Sequence, residues 1–277
     1  MTILFSCLAG SRLYGTSTPE SDVDVRRIEI EPIEYILGLL KKDHTVLQGD
    51  KDETTYTLKF FANLALDANP NILELIYVKE KQSLHWSKDW NDFVDVAKKY
   101  IISQLVRKTF AGYAVSQLKR IETHYRWLNS DVPKLPKAEE YGRIVVGMGE
   151  KWTDYQLKQK YDVDKKHYDQ YQTWVKNRNP KRSELEKKYG MDTKHASHLV
   201  RLITEAQHLL TAGYLEFPLP NADWLKEVRN GYFTYSELID YADKMLIEIE
   251  NMKSDLPQKP EFEKVQDIII DIYRRHL

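Results

Sequence analysis

Two aspartates with a spacing that suits metal binding follow a Gly-Ser pair near the start of the chain. Gly10 and Ser11 end a short apolar run, and Asp22 and Asp24 come after ten intervening residues. If the aspartates lie on one β-strand, their side chains point to the same face, because successive side chains alternate. Two neighbouring carboxylates repel each other unless a cation lies between them. The spacing therefore predicts a divalent metal site.

The Gly-Ser pair suits a phosphate group. Gly10 allows close approach of the backbone, and the amide and hydroxyl of Ser11 can donate to phosphate oxygens. Mg²⁺ prefers oxygen ligands and is usually held by few carboxylates together with substrate phosphates. Either pair alone is most often a generic turn or a solvated strand. Together, after an apolar strand, they predict phosphoryl transfer from a bound triphosphate, with metal ions that activate the attacking hydroxyl and neutralise the leaving pyrophosphate.

The elements that must position these residues are predicted from hydrophobic periodicity. Residues 3–9 form an apolar run typical of a buried strand that runs into the Gly-Ser turn. Residues 23–31 alternate and carry β-branched side chains, which indicates a second strand. Residues 57–67 place apolar side chains on one face and predict an amphipathic helix, which ends before Asn69-Pro70.

Helical periodicity dominates after about residue 95. Helices are predicted over residues 100–128, 141–161 and 193–212, with shorter ones toward the C-terminus. The predicted organisation is a small α/β domain over residues 1–95, followed by a larger helical domain over residues 96–277 that binds substrate or supports the first domain.

Composition restricts the class of protein. The 277 residues are 42% hydrophobic, which is enough for a buried core, and 41 basic residues nearly balance 42 acidic ones. No global positive field therefore attracts nucleic acid, and contact with RNA needs a local patch. The single cysteine, Cys7, excludes a disulfide framework and is expected in the core. The N-terminal apolar stretch is too short to cross a bilayer and has no basic segment before it, so we expect a cytoplasmic protein without a membrane partner.

These motifs resemble those of the DNA polymerase β nucleotidyltransferase superfamily, whose members carry Gly-Ser or Gly-Gly, a short gap, and Asp-x-Asp on a strand. The chain is more similar still to the RNA-ligase-associated, polymerase-β-like group of bacteria and phages. The motifs that carry the resemblance are Gly10-Ser11-Arg12-Leu13-Tyr14-Gly15, Ser21-Asp22-Val23-Asp24-Val25-Arg26, Asp52-x-Thr54-x-Tyr56-x-Leu58-Lys59-Phe60, Asn69-Pro70-Asn71 with Leu73-Glu74-Leu75, and Asp192-Thr193-Lys194-His195-Ala196-x-His198-Leu199-Val200-Arg201-Leu202.

The resemblance implies an α+β fold, with a polymerase-β-like core built on a mixed sheet and an all-helical C-terminal domain. It implies a nucleoside triphosphate substrate, Mg²⁺ or Mn²⁺ as cofactor, and transfer of a nucleoside monophosphate to an acceptor hydroxyl with release of pyrophosphate. RNA, such as an RNA end or a tRNA, is the first acceptor to expect, by analogy with the group's association with RNA ligases.

The resemblance also implies a third acid from a neighbouring strand. Asp50, Asp52 and Glu53 are candidates, and the Asp-x-Thr-x-Tyr match favours Asp52. Glu53 is the alternative, because a shift of one residue reverses the face on which a strand side chain lies. A polar loop without catalytic function is the remaining interpretation of this segment.

Basic residues supply further candidates for nucleotide binding. Arg12 and Arg26 flank the predicted phosphate pocket. Lys194, His198 and Arg201 are spaced i, i+4, i+7 and share a helix face that could hold a triphosphate or the acceptor. The alternative is a solvated face, or pairing with acids such as Glu205.

Two weaker patterns occur in the helical half. Residues 165–182 mix cations with aromatic rings, and we favour a packing stripe of Tyr168, Tyr171 and Trp174 over binding of single-stranded nucleic acid. A zinc site through His195 and His198 would lack a third ligand.

Two alternatives to an enzyme stay open at this stage. One is a nucleotide- or RNA-binding module with a decayed active site, although the intact Asp22 and Asp24 argue against it. The other is a regulatory partner protein that binds through an exposed apolar patch on its C-terminal helices.

Overall fold

The computed structural model describes residues 2–40, 44–47, 52–129, 132–146, 149–178 and 180–276. Contacts group the chain into two compact units: Met1–Leu118 with Ala196–Leu277, and Lys119–His195. The predicted α+β class is confirmed, with a mixed sheet near the N-terminus and many helices after it. The predicted domain boundary at residue 95 stays a prediction. The boundaries between the compact units fall inside two helices, after Leu118 and before Ala196.

Within the described residues, five strands form one mixed sheet in the order β3-β4-β2-β1-β5. Strand β2 is antiparallel to β1 and parallel to β4, and the outer strands β3 and β5 pair antiparallel with β4 and β1. The parallel pair brings the beginnings of β2 and β4 to the same edge of the sheet. The strands are β1 (Thr2–Leu8), β2 (Asp24–Ile30), β3 (His44–Leu47), β4 (Asp52–Thr57) and β5 (Ser83–Trp86).

Polar side chains cap the first turn of several helices. Thr57, Asn69 and Ser87 each accept a hydrogen bond from a backbone amide in the first turn of the helix that follows. The helices are α1 (Ser11–Tyr14), α2 (Ile33–Ile36), α3 (Leu58–Leu66), α4 (Pro70–Ile76), α5 (Lys88–Tyr100), α6 (Leu105–Asn129), α7 (Tyr155–Lys176), α8 (Pro180–Tyr189), α9 (Thr193–Ala212), α10 (Ala222–Arg229), α11 (Tyr235–Asn251) and α12 (Phe262–Arg274). None of the helices in the described ranges has the length and apolar composition that crossing a membrane requires.

An aromatic cluster joins the sheet to α3 and α5 in the core of the first unit. Phe5, Phe61 and Trp90 are fully buried, and the Trp90 ring lies 4.6 Å from Phe5 and 5.4 Å from Phe61 between centroids. Burial of each such side chain stabilises the fold by about 1.5–3 kcal/mol. Cys7 is also buried, as predicted, and burial raises the pKa of its thiol to about 12. A protonated thiol is a poor nucleophile, so we assign this buried cysteine to packing of the core and not to catalysis.

The helix predicted over residues 141–161 is wrong in its first half. Strands β6 (Arg143–Val146) and β7 (Gly149–Trp152) form an antiparallel hairpin there, and α7 begins only at Tyr155. Gly142 ends the preceding short turn with a φ of 82°, a backbone conformation that glycine adopts without strain. The β-branched residues that follow it favour an extended chain over a helix.

Candidate active site

The parallel pairing of β2 with β4 places two of the predicted catalytic acids side by side. Asp24 is the register partner of Asp52, so their side chains project from the same face of the sheet. The amide of Asp52 donates to the carbonyl oxygen of Val23 at 3.1 Å, which ties β4 to the segment between Asp22 and Asp24. Asp24 is half-buried and Asp52 is exposed, so both carboxylates remain open to a ligand.

The Gly-Ser turn lies directly against Asp24. The amide of Ala9 donates to the carbonyl oxygen of Asp24 at 2.9 Å. A Cβ atom on Gly10 would lie 2.6 Å from Oδ2 of Asp24, closer than a real Cβ contact allows. Ser11 begins α1, and no side chain caps that helix, because Gly10 has none. The turn therefore brings bare backbone to the carboxylate, as a phosphate cradle beside a metal site requires.

Asp22 lies in the loop that precedes β2 and is exposed. The strand begins at Asp24, so the predicted alternation does not extend back to Asp22. Arg12 holds this loop instead: its Nη2 donates to the carbonyl oxygen of Ser21 at 3.0 Å, and its Nε donates to that of Asp22 at 3.3 Å. Arg12 thus positions Asp22 through the backbone, and its predicted contact with a nucleotide stays a prediction.

The register separates the three candidates for the third acid. Asp50 lies outside the described residues. Glu53 is the register partner of Val25, on the opposite face from Asp24, and it pairs there with Nη1 of Arg27 at 2.7 Å. Asp52 is therefore the acid that β4 places beside Asp24.

The three aspartates are not gathered into a tight cluster. Histidine, cysteine, aspartate and glutamate side chains can all bind metal ions. Within the described ranges, one group of three such residues has its ligand atoms all within 4.8 Å of one another, and it consists of His124, Asp192 and His195. The carboxylates of Asp22, Asp24 and Asp52 are thus spread more widely than the ligand atoms of that group.

Arg26 lies on the same face of β2 as Asp24, two residues further along the strand. Its register partners are Cys7 on β1 and Thr54 on β4, and its Nη1 donates to the carbonyl oxygen of Val25 at 3.2 Å. The side chain is half-buried. This position flanks the acids, as predicted, and a contact with phosphate stays a prediction.

Arg201 lies in a buried hydrogen-bonded network in the first unit. Its Nη1 contacts Glu74 and lies 2.8 Å from Oε2 of Glu205, and its guanidinium lies 4.4 Å from the centre of the Tyr14 ring. The hydroxyl of Tyr14 donates to Oε2 of Glu74 at 2.8 Å. The alternative of a solvated face is thus wrong for Arg201, which is buried, and the alternative of pairing with Glu205 is confirmed. Lys194 and His198 are half-buried, and nucleotide contacts by these three basic residues stay predictions.

This network anchors the Gly-Ser turn, because Tyr14 ends α1. Gly15 follows with a φ of 78°, and a Cβ atom there would lie 2.8 Å from the side chain of Pro218. The amide of Leu219 donates to the carbonyl oxygen of Tyr14 at 3.1 Å. The importance of Glu74 was missed from sequence. The available signal was an acid inside the apolar run of residues 72–78, since a buried charge needs a partner.

The free energy of unfolding should fall as pH rises, because the buried carboxyl group of Glu205 holds its proton more tightly in the folded chain than in the unfolded chain. Burial raises the pKa of this carboxyl from 4.5 to about 8; Arg201 lowers it, and Glu74 raises it further. Between those values the folded chain keeps a proton that the unfolded chain loses, so stability decreases across that interval. We expect the melting temperature to fall between pH 5 and pH 8, and Glu205→Gln to remove that part of the slope. Glu250→Gln, which changes an exposed residue of α11, is the control. An unchanged slope in Glu205→Gln would contradict the assignment.

Within the basic and aromatic stretch over residues 165–182, Tyr171 and Trp174 pack against Trp127, as favoured from sequence. The rings of Tyr171 and Trp174 lie 5.6 and 5.3 Å from Trp127 between centroids. The side chains of Lys181 and Arg182 lie outside the described residues.

Comparisons with known proteins agree with the motifs. The profile of a family described as "RNA repair pathway DNA polymerase beta family" matches residues 1–269. A protein of Enterobacteria phage T4, described as "Uncharacterized 38.9 kDa protein in nrdC-mobD intergenic region", is 23% identical, and the match covers 95% of each chain. That relative extends the similarity over both halves of the chain, and its description names no activity.

Proposed function

The chain belongs to the RNA repair pathway DNA polymerase beta family, and from this premise we propose that it is a metal-dependent nucleotidyltransferase acting on RNA. It transfers a nucleoside monophosphate from a triphosphate to a hydroxyl group. The register pairing of Asp24 with Asp52 beside Gly10 carries the proposal. Two carboxylates on one face of the sheet, next to bare backbone, suit a cation and a triphosphate together.

The residues at the site fit a divalent cation. The donors are the carboxylates of Asp22, Asp24 and Asp52, and hard ions such as Mg²⁺ and Mn²⁺ prefer oxygen ligands. Gly10 leaves room at Asp24 that any larger residue would fill. When bound, the ion supplies positive charge that makes the attacking hydroxyl more acidic and neutralises the leaving pyrophosphate.

The chain's own residues orient the reaction. The acceptor oxygen forms a bond to the α-phosphorus, the bond from that phosphorus to the α,β-bridging oxygen breaks, and pyrophosphate leaves. The exposed carboxylate of Asp52 takes the hydroxyl proton. The amide and hydroxyl of Ser11 donate to the phosphates, and Arg12 holds the loop of Asp22 in place.

RNA is the acceptor that the family description favours. The near-neutral net charge of −1 provides no general attraction to a polyanion, so recognition of the RNA relies on local basic residues.

A transfer assay tests this function. The protein is incubated with each α-labelled triphosphate, Mg²⁺ or Mn²⁺, and RNA oligonucleotides that carry either a 3′-hydroxyl or a 3′-phosphate. We expect label on RNA with a free hydroxyl, together with stoichiometric pyrophosphate. Binding of the triphosphate without any transfer would instead support the binding module with a decayed site.

Asp52→Asn and Glu53→Gln form a matched pair within this assay. Each removes one carboxylate from β4, but only Asp52 shares the face of Asp24. We expect Asp52→Asn to lower the transfer rate by about a hundredfold or more, the range of general acid–base and electrostatic catalysis. Glu53→Gln should retain activity and lose only its partly exposed ion pair with Arg27. The reverse ranking of the two variants would exclude Asp52 as the third acid.

A further inference from the structure

A second set of metal-binding side chains lies within the unit Lys119–His195, apart from the aspartates of the proposed active site. Nδ1 of His124, on α6, lies 3.0 Å from Oδ2 of Asp192, and Nε2 of His195, on α9, lies 3.7 Å from the same oxygen. The three ligand atoms are all within 4.8 Å of one another. Two imidazoles and a carboxylate thus converge on one small volume.

Burial and packing hold these groups in place. Asp192 has no exposed surface, and its second oxygen, Oδ1, accepts from the amide of His195 at 3.1 Å, which orients the carboxylate. The side chains of His124 and His195 are only 14% and 13% exposed. The His124 ring lies 5.5 Å from both Trp127 and Trp174 between centroids. Hydrogen bonding and ring packing therefore restrict how these three side chains can move.

The cluster is accessible through His124. This residue lines a cavity of about 710 Å³, whose walls also include Trp127, Trp174 and Arg178. Among the three residues of the cluster, His124 lines this cavity, so this is the side from which an ion would enter. Three protein ligands and one open position are the usual composition of a catalytic zinc site.

We propose that His124, Asp192 and His195 bind a divalent transition-metal ion of the Zn²⁺ class. Zn²⁺ at its usual bond lengths of about 2.0–2.2 Å separates neighbouring tetrahedral ligands by about 3.3–3.6 Å, and the observed 3.0 and 3.7 Å span that value. Imidazole nitrogens select zinc over Mg²⁺, which prefers oxygen. The sequence alone suggested a zinc site at His195 and His198 that lacked a third ligand. In the structure His195 is joined instead by Asp192 and by His124 of α6.

Metal titration of the untagged full chain tests the site. The protein is treated with a chelator, and Zn²⁺ binding is then measured by calorimetry in excess Mg²⁺, with Co²⁺ absorption in the visible range as the spectroscopic probe. We expect one Zn²⁺ per chain, a tetrahedral Co²⁺ spectrum, and a higher melting temperature with Zn²⁺. Binding of one Zn²⁺ per chain that excess Mg²⁺ fails to displace would distinguish this cluster from the proposed active site, whose ligands are aspartates.

Variants locate the bound ion. His124→Gln and Asp192→Asn should each weaken Zn²⁺ binding at least tenfold, and Asp192→Asn keeps an efficient helix cap, so that variant should fold. His208→Gln, which changes another histidine of α9, should bind like the wild type, and so should Asp24→Asn. The proposal is refuted if the wild type takes up no zinc, if the cluster variants bind it normally, or if Asp24→Asn abolishes binding.

Discussion

Asp24→Asn is expected to lower the rate of nucleotide transfer by about a thousandfold, equivalent to about 4 kcal/mol of lost transition-state stabilisation, and to leave the fold intact. Asp24 carries the largest expected effect because it joins the parts of the proposed site. It is the register partner of Asp52 on β4, and its Oδ2 faces Gly10. Asparagine keeps the shape of the side chain and removes the charge that would hold the proposed cation.

Single-turnover transfer measured over a series of Mg²⁺ concentrations checks this prediction. The melting temperature should stay the same or rise slightly, because the substitution removes repulsion with neighbouring carboxylates. Asp95→Asn, which removes an exposed carboxylate of α5 outside the site, should leave both properties unchanged. Wild-type transfer by Asp24→Asn would disprove the proposed active site.

Gly10→Ala is expected to lower both activity and stability. The backbone at Gly10 has φ 59° and ψ −140°, a region that is essentially restricted to glycine. The added Cβ would also meet Oδ2 of Asp24 at 2.6 Å. To accommodate it, either the turn or the carboxylate must move. We expect a loss of about 1–3 kcal/mol in the free energy of unfolding and a loss of about a hundredfold in transfer, since small displacements of positioning groups cost that much.

Gly112→Ala is the matched control for this substitution. Gly112 lies in α6, and a Cβ atom there would meet nothing within 4 Å. Alanine in an exposed helix is more stable than glycine by about 0.5–1 kcal/mol, so this variant should gain stability and keep its activity. Urea unfolding and the transfer assay measure both effects. Gly10→Ala with wild-type stability and rate would show that the turn is not confined by Asp24.

The buried network joins motifs that lie far apart along the chain. Arg201 and Glu205 on α9 meet Glu74 on α4 and the ring of Tyr14. Tyr14 ends the helix that begins at Ser11. The helical C-terminal part of the first unit therefore supports the Gly-Ser turn through its side chains, and a change at Arg201 is expected to act on the proposed site through Tyr14.

The sequence by itself determined the local features of this protein. The Gly-Ser turn, the two strands that flank it, the caps of α3 and α4, and the predicted function class follow from residues close together in the chain. Alternation on a strand and capping of a helix are short-range effects, so a single sequence reveals them.

The tertiary structure decided which distant groups meet. The parallel register of β2 and β4 placed Asp52 beside Asp24 and turned Glu53 toward Arg27. Packing of α9 buried Arg201 against Glu74 and brought His124 to the start of α9. Strand register and helix packing depend on burial of the whole core and on contacts between residues far apart in the chain, which local patterns do not encode.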